Sequence, residues 1–376
     1  MLAIPVFGAL LGGFLKILLT ALLPMGASWW AAVADVPVAL MRHMVDGLSR
    51  LPCSDVPLPA HSISLLVIYY ALLCAPLLAP LRMPRLHWSL RFGPAGAMLL
   101  FILLPLTGGA TRLGDGSLRV HVMAVGAGQC CLIELPDGRD ILLDAGSTSL
   151  ADPMRKCISP YLRSRGLADI DEIWLSHGDF DHMNAACEII RTYDVPSVRF
   201  SSEFERHAAE NPPDVELLET IRQHEVKVER LCRGDRIDLG KGASLEVLWP
   251  TRDAKFSSNE SGLVLKLTYA RRTILFPADI QQRGEAELLR HADELHCDVL
   301  LAPHHGSSER TTRDFVAAAD PLYIVSSNDR SLSQKQRLFE RQIGDRPLFR
   351  TNECGAVTIQ IDKTGGLTVT PFIQSQ

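Results

Sequence analysis

The chain has 376 residues, of which 47% are hydrophobic, and its formal net charge is −5. This length leaves room for two domains of ordinary size. The negative charge excludes a broadly basic coat for nucleic acid, so any such contact must come from local patches. The nine cysteines have no C-x-x-C spacing, which excludes a zinc finger and argues against a disulfide framework; most are interpreted as small buried side chains.

The apolar residues are concentrated in the first third of the chain. A bilayer requires about 20 apolar residues in a row, and three stretches are candidates to cross one: residues 2–34, 63–81 and 93–110. The first is too long for a signal peptide and has no positively charged start. These stretches predict a polytopic membrane anchor.

The segments between these stretches carry the charged residues. Residues 35–61 interleave apolar side chains with charged ones, which predicts a membrane-surface or pore-lining segment, with a soluble helix as the alternative. Three arginines without acidic neighbours precede the third stretch: Arg82, Arg85 and Arg91. Because positive loops stay in the cytoplasm, we expect everything after residue 113 to lie outside it.

A polar, glycine-rich linker at residues 111–117 precedes a domain predicted to be rich in β-structure. Period-two patterns bounded by turn residues predict strands at 118–125, 130–135, 140–144, 170–175, 195–201, 237–239, 245–249, 263–269, 273–276, 298–302, 356–361 and 367–371. Helical patterns cover 154–165, 183–192, 215–225, 280–295 and 334–343.

The segment at residues 176–182, hereafter the metal loop, follows the apolar run 170–175 and holds four possible metal ligands: His177, Asp179, Asp181 and His182. Imidazole and carboxylate groups suit zinc, manganese and iron. In an extended segment the first three would project to one side while His182 turns away, so one loop could serve two metals. The alternative is a surface turn in which Asp179 or Asp181 caps the next helix.

Other predicted strands end in similar side chains. The strand at 140–144 ends in Asp144, the strand at 273–276 leads to Asp279, and the strand at 298–302 leads to His304 and His305. A sheet builds a site in this way, along the edge where its strands end. The pattern favours one shared site over four separate turns.

These motifs together resemble the metallo-β-lactamase fold. The loop has the form H-x-D-x-D-H, in which aspartate replaces the second histidine of the usual motif, and it is combined with a P-H-H-G-S run at residues 303–307. With the hydrophobic segments upstream, this combination resembles the C-terminal part of ComEC-type DNA-uptake proteins. The resemblance implies an αββα sandwich over residues 118–376, preceded by the transmembrane helices of a partial channel domain over residues 1–110.

The resemblance also implies roles for individual residues. His177 and Asp179 would bind one divalent metal, Asp181, His182 and either His304 or His305 a second, and Asp279 would bridge them. The catalytic carboxylates would be Asp144, Asp179 and Asp181, with Asp144 orienting the loop. The residues placed to contact substrate are Asn259, Ser307, Arg310 and Arg313. Aspartate in place of the second histidine tilts the choice of metal from zinc toward manganese or magnesium.

The function implied is cleavage of DNA phosphodiesters, specifically of the strand that is degraded while its partner enters the cell. The expected location is the bacterial inner membrane, with several spans and an extracytoplasmic hydrolase domain. The expected partners are single- or double-stranded DNA, the membrane, and a missing N-terminal channel portion or other uptake proteins.

Two other functions compete with this one. Departures from the family pattern at Ala127, Gln129 and Ala278 favour a non-catalytic subunit that guides DNA through an uptake channel. A hydrolase of lactams or thioesters on the same fold is less consistent with the H-x-D-x-D-H variant.

Overall fold

The computed structural model describes residues 116–208, 212–252 and 256–373, together with scattered helical residues between 16 and 47. The chain divides into two compact units, Met1–Pro57 and Leu58–Gln376. The predicted spans at 63–81 and 93–110, most of the one at 2–34 and most of the linker lie outside the described residues. Among the residues that are described, no helix is both long and apolar enough to cross a membrane.

Two β-sheets form the centre of the second unit. The strands are β1 (Leu118–Val122), β2 (Cys130–Glu134), β3 (Asp140–Ala145), β4 (Glu172–Leu175), β5 (Ser197–Ser201), β6 (Lys227–Leu231), β7 (Arg236–Gly240), β8 (Ala243–Trp249), β9 (Val264–Tyr269), β10 (Arg272–Phe276), β11 (Val299–Leu301), β12 (Tyr323–Ser326), β13 (Leu348–Arg350), β14 (Val357–Ile361) and β15 (Leu367–Pro371). One sheet has the strand order β15-β14-β1-β2-β3-β4-β5-β6 and the other β13-β12-β11-β10-β9-β8-β7.

Helices follow or connect these strands. They are α1 (Ser159–Ser164), which continues a π-helical turn at Met154–Ile158, then α2 (Phe180–Met183), α3 (Ala186–Thr192), α4 (Ser202–Ala208), α5 (Pro212–Gln223), α6 (Gln282–Leu289), α7 (Thr312–Ala319), α8 (Gln334–Gln342) and α9 (Thr351–Cys354). Short 3-10 turns lie at Asn259–Ser261, Ala292–Glu294 and Pro303–Gly306.

The core consists of three apolar layers. Strand β2 shows how they arise, because alternate side chains of a strand point to opposite faces: Cys131 and Ile133 pack between the two sheets, whereas Cys130 and Leu132 pack against helices on the outer face. A third cluster, which includes Phe315 of α7, covers the outer face of the second sheet. The predicted αββα sandwich is therefore confirmed.

Parallel pairing places the candidate ligands at strand ends. Strand β3 pairs in parallel with β4, which brings the end of β3 next to the start of the metal loop. In the other sheet β10 pairs in parallel with β11, and β11 with β12. The segments after β10 and β11, which carry Asp279 and the histidine pair, therefore leave the sheet from the same edge.

Several predicted helix boundaries are wrong. The helix predicted at 183–192 begins at Ala186, after the separate short helix α2 that starts inside the metal loop. The helix predicted at 280–295 ends at Leu289 and is followed by a 3-10 turn. The first difference changes the site, because it places Asp181 and His182 on a helix.

A buried acid, Glu285, joins α6 to α7. Burial raises the pKa of its carboxyl to about 7, and this effect outweighs the hydrogen bonds donated by the hydroxyls of Thr311 and Thr312. Because the folded state holds the proton more tightly than the unfolded chain, the carboxyl favours folding below about pH 4.5 and loses that contribution as the pH rises to about 7.

We therefore expect Glu285→Gln to make the free energy of unfolding less dependent on pH. Between pH 4.5 and 7 the free energy of unfolding of the wild-type protein should fall by up to about 3 kcal/mol relative to that of the variant, whose glutamine does not titrate. Urea unfolding of both proteins at pH 4.5, 6 and 8 measures this difference. If the free energy of unfolding changes with pH in the same way in both proteins, the pKa of Glu285 is not raised in the folded state.

Candidate metal centre

Four side chains from three parts of the chain converge at the edge of the sandwich. Possible ligand atoms of Asp181, His182, Asp279 and His305 all lie within 4.8 Å of one another. His182 Nε2 is 3.2 Å from Asp279 Oδ1, and His305 Nε2 is 3.3 Å from Asp279 Oδ2 and 3.5 Å from Asp181 Oδ2. Two imidazoles and two carboxylates at this spacing can surround one divalent cation.

The metal loop turns into a helix earlier than predicted. Asp179 has an extended backbone at the N-cap of α2, and Asp181 and His182 lie in its single turn. The predicted extended conformation, with His182 turned away, is therefore wrong, since His182 points into the cluster. Asp179 makes no side-chain capping hydrogen bond, so its carboxylate is not used to cap the helix.

His177 and Asp179 lie beside this cluster. His177 Nε2 is 3.8 Å from Asp179 Oδ2, and the His177 ring is centred 4.2 Å from that of His182. His177 is only 2% exposed, and its Nε2 atom has no hydrogen-bond partner in the described structure. A buried ring nitrogen without a partner costs free energy, and a metal ion bound there would remove that cost.

Asp144 lies behind the cluster and holds it in place. It is completely buried, and it accepts hydrogen bonds from His182 Nδ1 at 2.8 Å, the Ser176 backbone N–H at 2.7 Å, the Ser176 hydroxyl at 2.8 Å and the Gln129 amide at 3.0 Å. Because His182 donates through Nδ1, its Nε2 atom is left free to face the cluster. Asp144 acts on the site through these partners.

Two glycines allow the metal loop to approach β2 and β3. A Cβ atom at Gly146 would lie 2.4 Å from the Asp181 carbonyl oxygen, and one at Gly128 would lie 2.7 Å from the same atom. The Gln129 backbone N–H donates to that oxygen at 3.0 Å. Only glycine fits at both positions, and the close approach fixes Asp181.

The histidine pair has an unusual backbone. His304 and His305 have φ values of 47° and 54°, in the left-handed region that side chains other than glycine rarely adopt. The His305 carbonyl accepts hydrogen bonds from the side-chain amides of Asn328, at 2.8 Å, and Gln336, at 3.1 Å. These bonds hold His305 in the cluster, whereas His304 is more exposed and its Nε2 lies 3.8 Å from Asp279 Oδ2.

Ala278 shares this backbone strain. Its φ is 53°, a left-handed conformation that alanine adopts only at a steric cost. The left-handed conformation lets its carbonyl accept a hydrogen bond from the His304 N–H at 3.0 Å. A Cβ atom added at Gly262 would lie only 3.1 Å from the Ala278 Cβ, so the two segments pack closely here.

We expect Ala278→Gly to stabilise the protein by about 1 kcal/mol, because glycine adopts this conformation without the steric cost paid by alanine. Thermal or urea unfolding of the full-length variant measures the gain. Arg271 has a similar φ of 65° in an exposed hairpin, so Arg271→Gly is a matched control that should raise stability without changing metal affinity. A loss of stability in Ala278→Gly would contradict the assigned strain.

The charges of the cluster attract a cation. Burial opposes protonation of His305 and His182, but the Asp279 carboxylate beside both raises the pKa of His305 to about 9 and that of His182 well above its usual range. Burial alone would raise the pKa of Asp279, yet the same imidazoles hold it well below its ordinary value. Without a metal the site binds protons, which a divalent cation would displace.

The predicted substrate contacts lie in segments that flank residues of the site. Asn259 begins the 3-10 turn before Gly262, which packs near His177, and the Ser307 N–H donates to the His304 carbonyl at 2.8 Å. Arg310 and Arg313 are exposed and lie after the histidine pair in the chain. They are therefore available to a bound anion.

Several supporting residues were missed by sequence reasoning: Ser176, Asn328 and Gln336. Gln129 was read as a departure that favours a decayed site, but its amide donates to Asp144 and so satisfies the buried carboxylate. The capping box S-x-x-Q at Ser333 and Gln336 was a detectable signal for the start of α8. Nothing in that motif indicates that the same glutamine also donates to His305.

Comparison with known proteins defines the family. The model of the metallo-beta-lactamase superfamily matches residues 123–326, more than half of the chain. The chain therefore belongs to this superfamily, and the matched region contains the metal loop, Asp279 and the histidine pair.

Among curated proteins the chain is similar to bacterial competence proteins. It is 25% identical over 270 residues to ComE operon protein 3 of Bacillus subtilis, which covers 67% of this chain and 34% of that protein. It is 24% identical over 343 residues to competence protein ComA of Neisseria gonorrhoeae, which covers 89% of this chain and 43% of that protein. The predicted resemblance is confirmed, and the chain spans less than half the length of either relative.

Solved structures with a similar fold include Igni18, a metallo hydrolase from Ignicoccus hospitalis. The match has a TM-score of 0.43 and 13% identity, and it covers 64% of this chain and 98% of that one.

Proposed function

We propose that this chain is a membrane-anchored, metal-dependent hydrolase that cuts DNA phosphodiesters during DNA uptake, acting on the strand that is not transported. The observation that carries the proposal is the cluster of Asp181, His182, Asp279 and His305, whose possible ligand atoms lie within 4.8 Å of one another. Similarity to competence proteins supports the choice of DNA as substrate.

The residues fit two cation positions that share Asp279. Asp181, His182 and His305 would hold one cation, and His177 with Asp179 would hold the other, for which the unpartnered Nε2 atom of His177 is the supporting observation. A pair of divalent cations, which we propose to be manganese, magnesium or zinc, would lower the pKa of an attacking water and stabilise charge on the phosphoryl oxygens.

The chain's own groups would position the substrate. Arg310 and Arg313 follow the histidine pair and are exposed, so they are the groups proposed to hold the phosphodiester backbone. Ser307 and Asn259 would supply polar contacts at the rim. Asp144 would keep His182 in the tautomer that directs Nε2 at the site.

The proposed setting is the bacterial inner membrane, with the hydrolase domain outside the cytoplasm. The apolar stretches in the first 110 residues support this location. The proposed partners are an N-terminal channel portion and other DNA-uptake proteins.

The test is a cleavage assay with the full-length chain purified in detergent. A fluorescently labelled DNA strand is incubated with the protein in EDTA, and then with added manganese, magnesium or zinc. We expect cleavage only with added metal. If the protein takes up metal and binds DNA but leaves the strand intact with every cation, the DNA-guiding alternative is supported instead.

A further inference from the structure

A pocket of about 420 Å³ opens beside the metal loop. It lies between α2, α3 and α5, and the residues that line it include Phe180, Met183, Pro212 and Pro213. Its volume is within the range of small-molecule sites in proteins. Because Phe180 stands between Asp179 and Asp181, the pocket begins one residue away from two proposed metal ligands.

The Phe180 ring is unusually accessible. It is 51% exposed, although the two residues that follow it, Asp181 and His182, belong to the metal cluster. A large aromatic ring left in water costs free energy that burial would recover. The ring therefore offers a flat apolar face to a ligand that reaches the metal centre.

The charges around the pocket do not suit a phosphate. Two carboxylates, Glu188 and Glu216, line it together with one guanidinium, Arg191. Arg191 already donates to Glu216 and to Thr220, at 3.1 Å each. Glu188 and Glu216 offer carboxylate oxygens that can accept from N–H groups, and Phe180, Met183 and the two prolines supply apolar surface.

We infer that this pocket binds an unpaired nucleobase next to the phosphodiester that is cut, with the base stacked on Phe180. A heterocyclic base has a flat face that can stack on the ring, and its N–H groups, which in adenine, cytosine and guanine include an exocyclic amino group, can donate to the glutamates. Its own phosphate would lie toward the metal cluster, which includes Asp181, the residue after Phe180. This inference rests on the proposed function and extends it, because it assigns the site a single-stranded substrate.

The experiment measures binding, so that it does not depend on cleavage. Fluorescence anisotropy follows two labelled ten-nucleotide strands, one normal and one with abasic residues throughout, binding to the full-length protein in EDTA. We expect the wild-type protein to prefer the normal strand by about tenfold, as stacking on one aromatic residue provides. Phe180→Ala should reduce the preference to nearly one, and Phe180→Trp should keep it.

Phe372 provides the matched control. It is 82% exposed and lies near the C-terminus, outside the pocket, so Phe372→Ala should keep the wild-type preference. Equal binding of both strands by the wild-type protein would overturn the inference, as would an equal loss for both strands in Phe180→Ala. A changed oligomeric state of Phe180→Ala in light scattering would assign the ring to a second copy of the chain and also overturn it.

The two proposals fail separately. A protein that cuts DNA with added metal but shows no preference for strands with bases keeps the proposed hydrolase function and loses the base pocket. A protein that shows the preference but never cuts keeps the pocket and loses the hydrolase function.

Discussion

Replacement of Asp279 by asparagine is expected to reduce metal-dependent DNA cleavage by about a thousandfold, which corresponds to roughly 4 kcal/mol of lost transition-state stabilisation. Asp279 is 3% exposed and is the one carboxylate within 3.3 Å of both His182 Nε2 and His305 Nε2 in the described structure. Asparagine has almost the same shape but carries no charge. The variant should therefore fold and lose metal.

The measurement combines metal content, by mass spectrometry, with cleavage rates at saturating metal. Asp298 is a suitable control, because it is a partly buried aspartate directly before β11 that lies 2.7 Å from Arg272 and does not belong to the cluster. Asp298→Asn should lose some stability and keep its metal. Full metal content and full cleavage in Asp279→Asn would remove Asp279 from the site.

Replacement of Asp144 by asparagine is expected to destabilise the protein by about 3 kcal/mol and to weaken metal binding 10- to 100-fold, in the range found for groups that orient a metal ligand. Asp144 Oδ2 accepts from His182, from the Ser176 hydroxyl and from Gln129. An amide nitrogen at that position would face three donors in a completely buried site. Asparagine tolerates the positive φ of 57° there, so the backbone is not the cause.

Urea unfolding and isothermal titration with manganese measure the two effects. Ser176→Ala removes a single donor to Asp144 and should cost no more than about 1.5 kcal/mol. The prediction for Asp144 is contradicted if Asp144→Asn unfolds at the wild-type urea concentration and binds manganese as tightly as the wild-type protein.

The sequence was sufficient to predict most of the strands and the convergence of their ends, although strands such as β6 and β13 were not predicted. Apolar runs such as 170–175 and 298–302, each followed by acidic or imidazole side chains, have few arrangements other than parallel strands that end at one site. This reasoning placed Asp279, the metal loop and the histidine pair at one edge without knowledge of the intervening chain. The αββα architecture followed from the resemblance, which rests on the same residues.

The backbone of the site could not be predicted in this way. Asp144, Ala278, His304 and His305 all have positive φ, and only tertiary contacts hold such residues there. Asn328 and Gln336 stabilise His305 from segments far along the chain, and periodicity carries no signal for such contacts. Helix α7, by contrast, was missed although its buried residues Phe315, Val316 and Ala319 recur at helical spacing, a signal that the sequence did carry.

The most direct test of the metal centre is an anomalous difference map from crystals of the full-length protein soaked in manganese. We expect a manganese peak within about 2.0–2.3 Å of ligand atoms from His182, His305, Asp181 and Asp279, with a second peak beside His177 and Asp179. Manganese bound elsewhere, with these side chains paired only to one another at saturating metal, would contradict it.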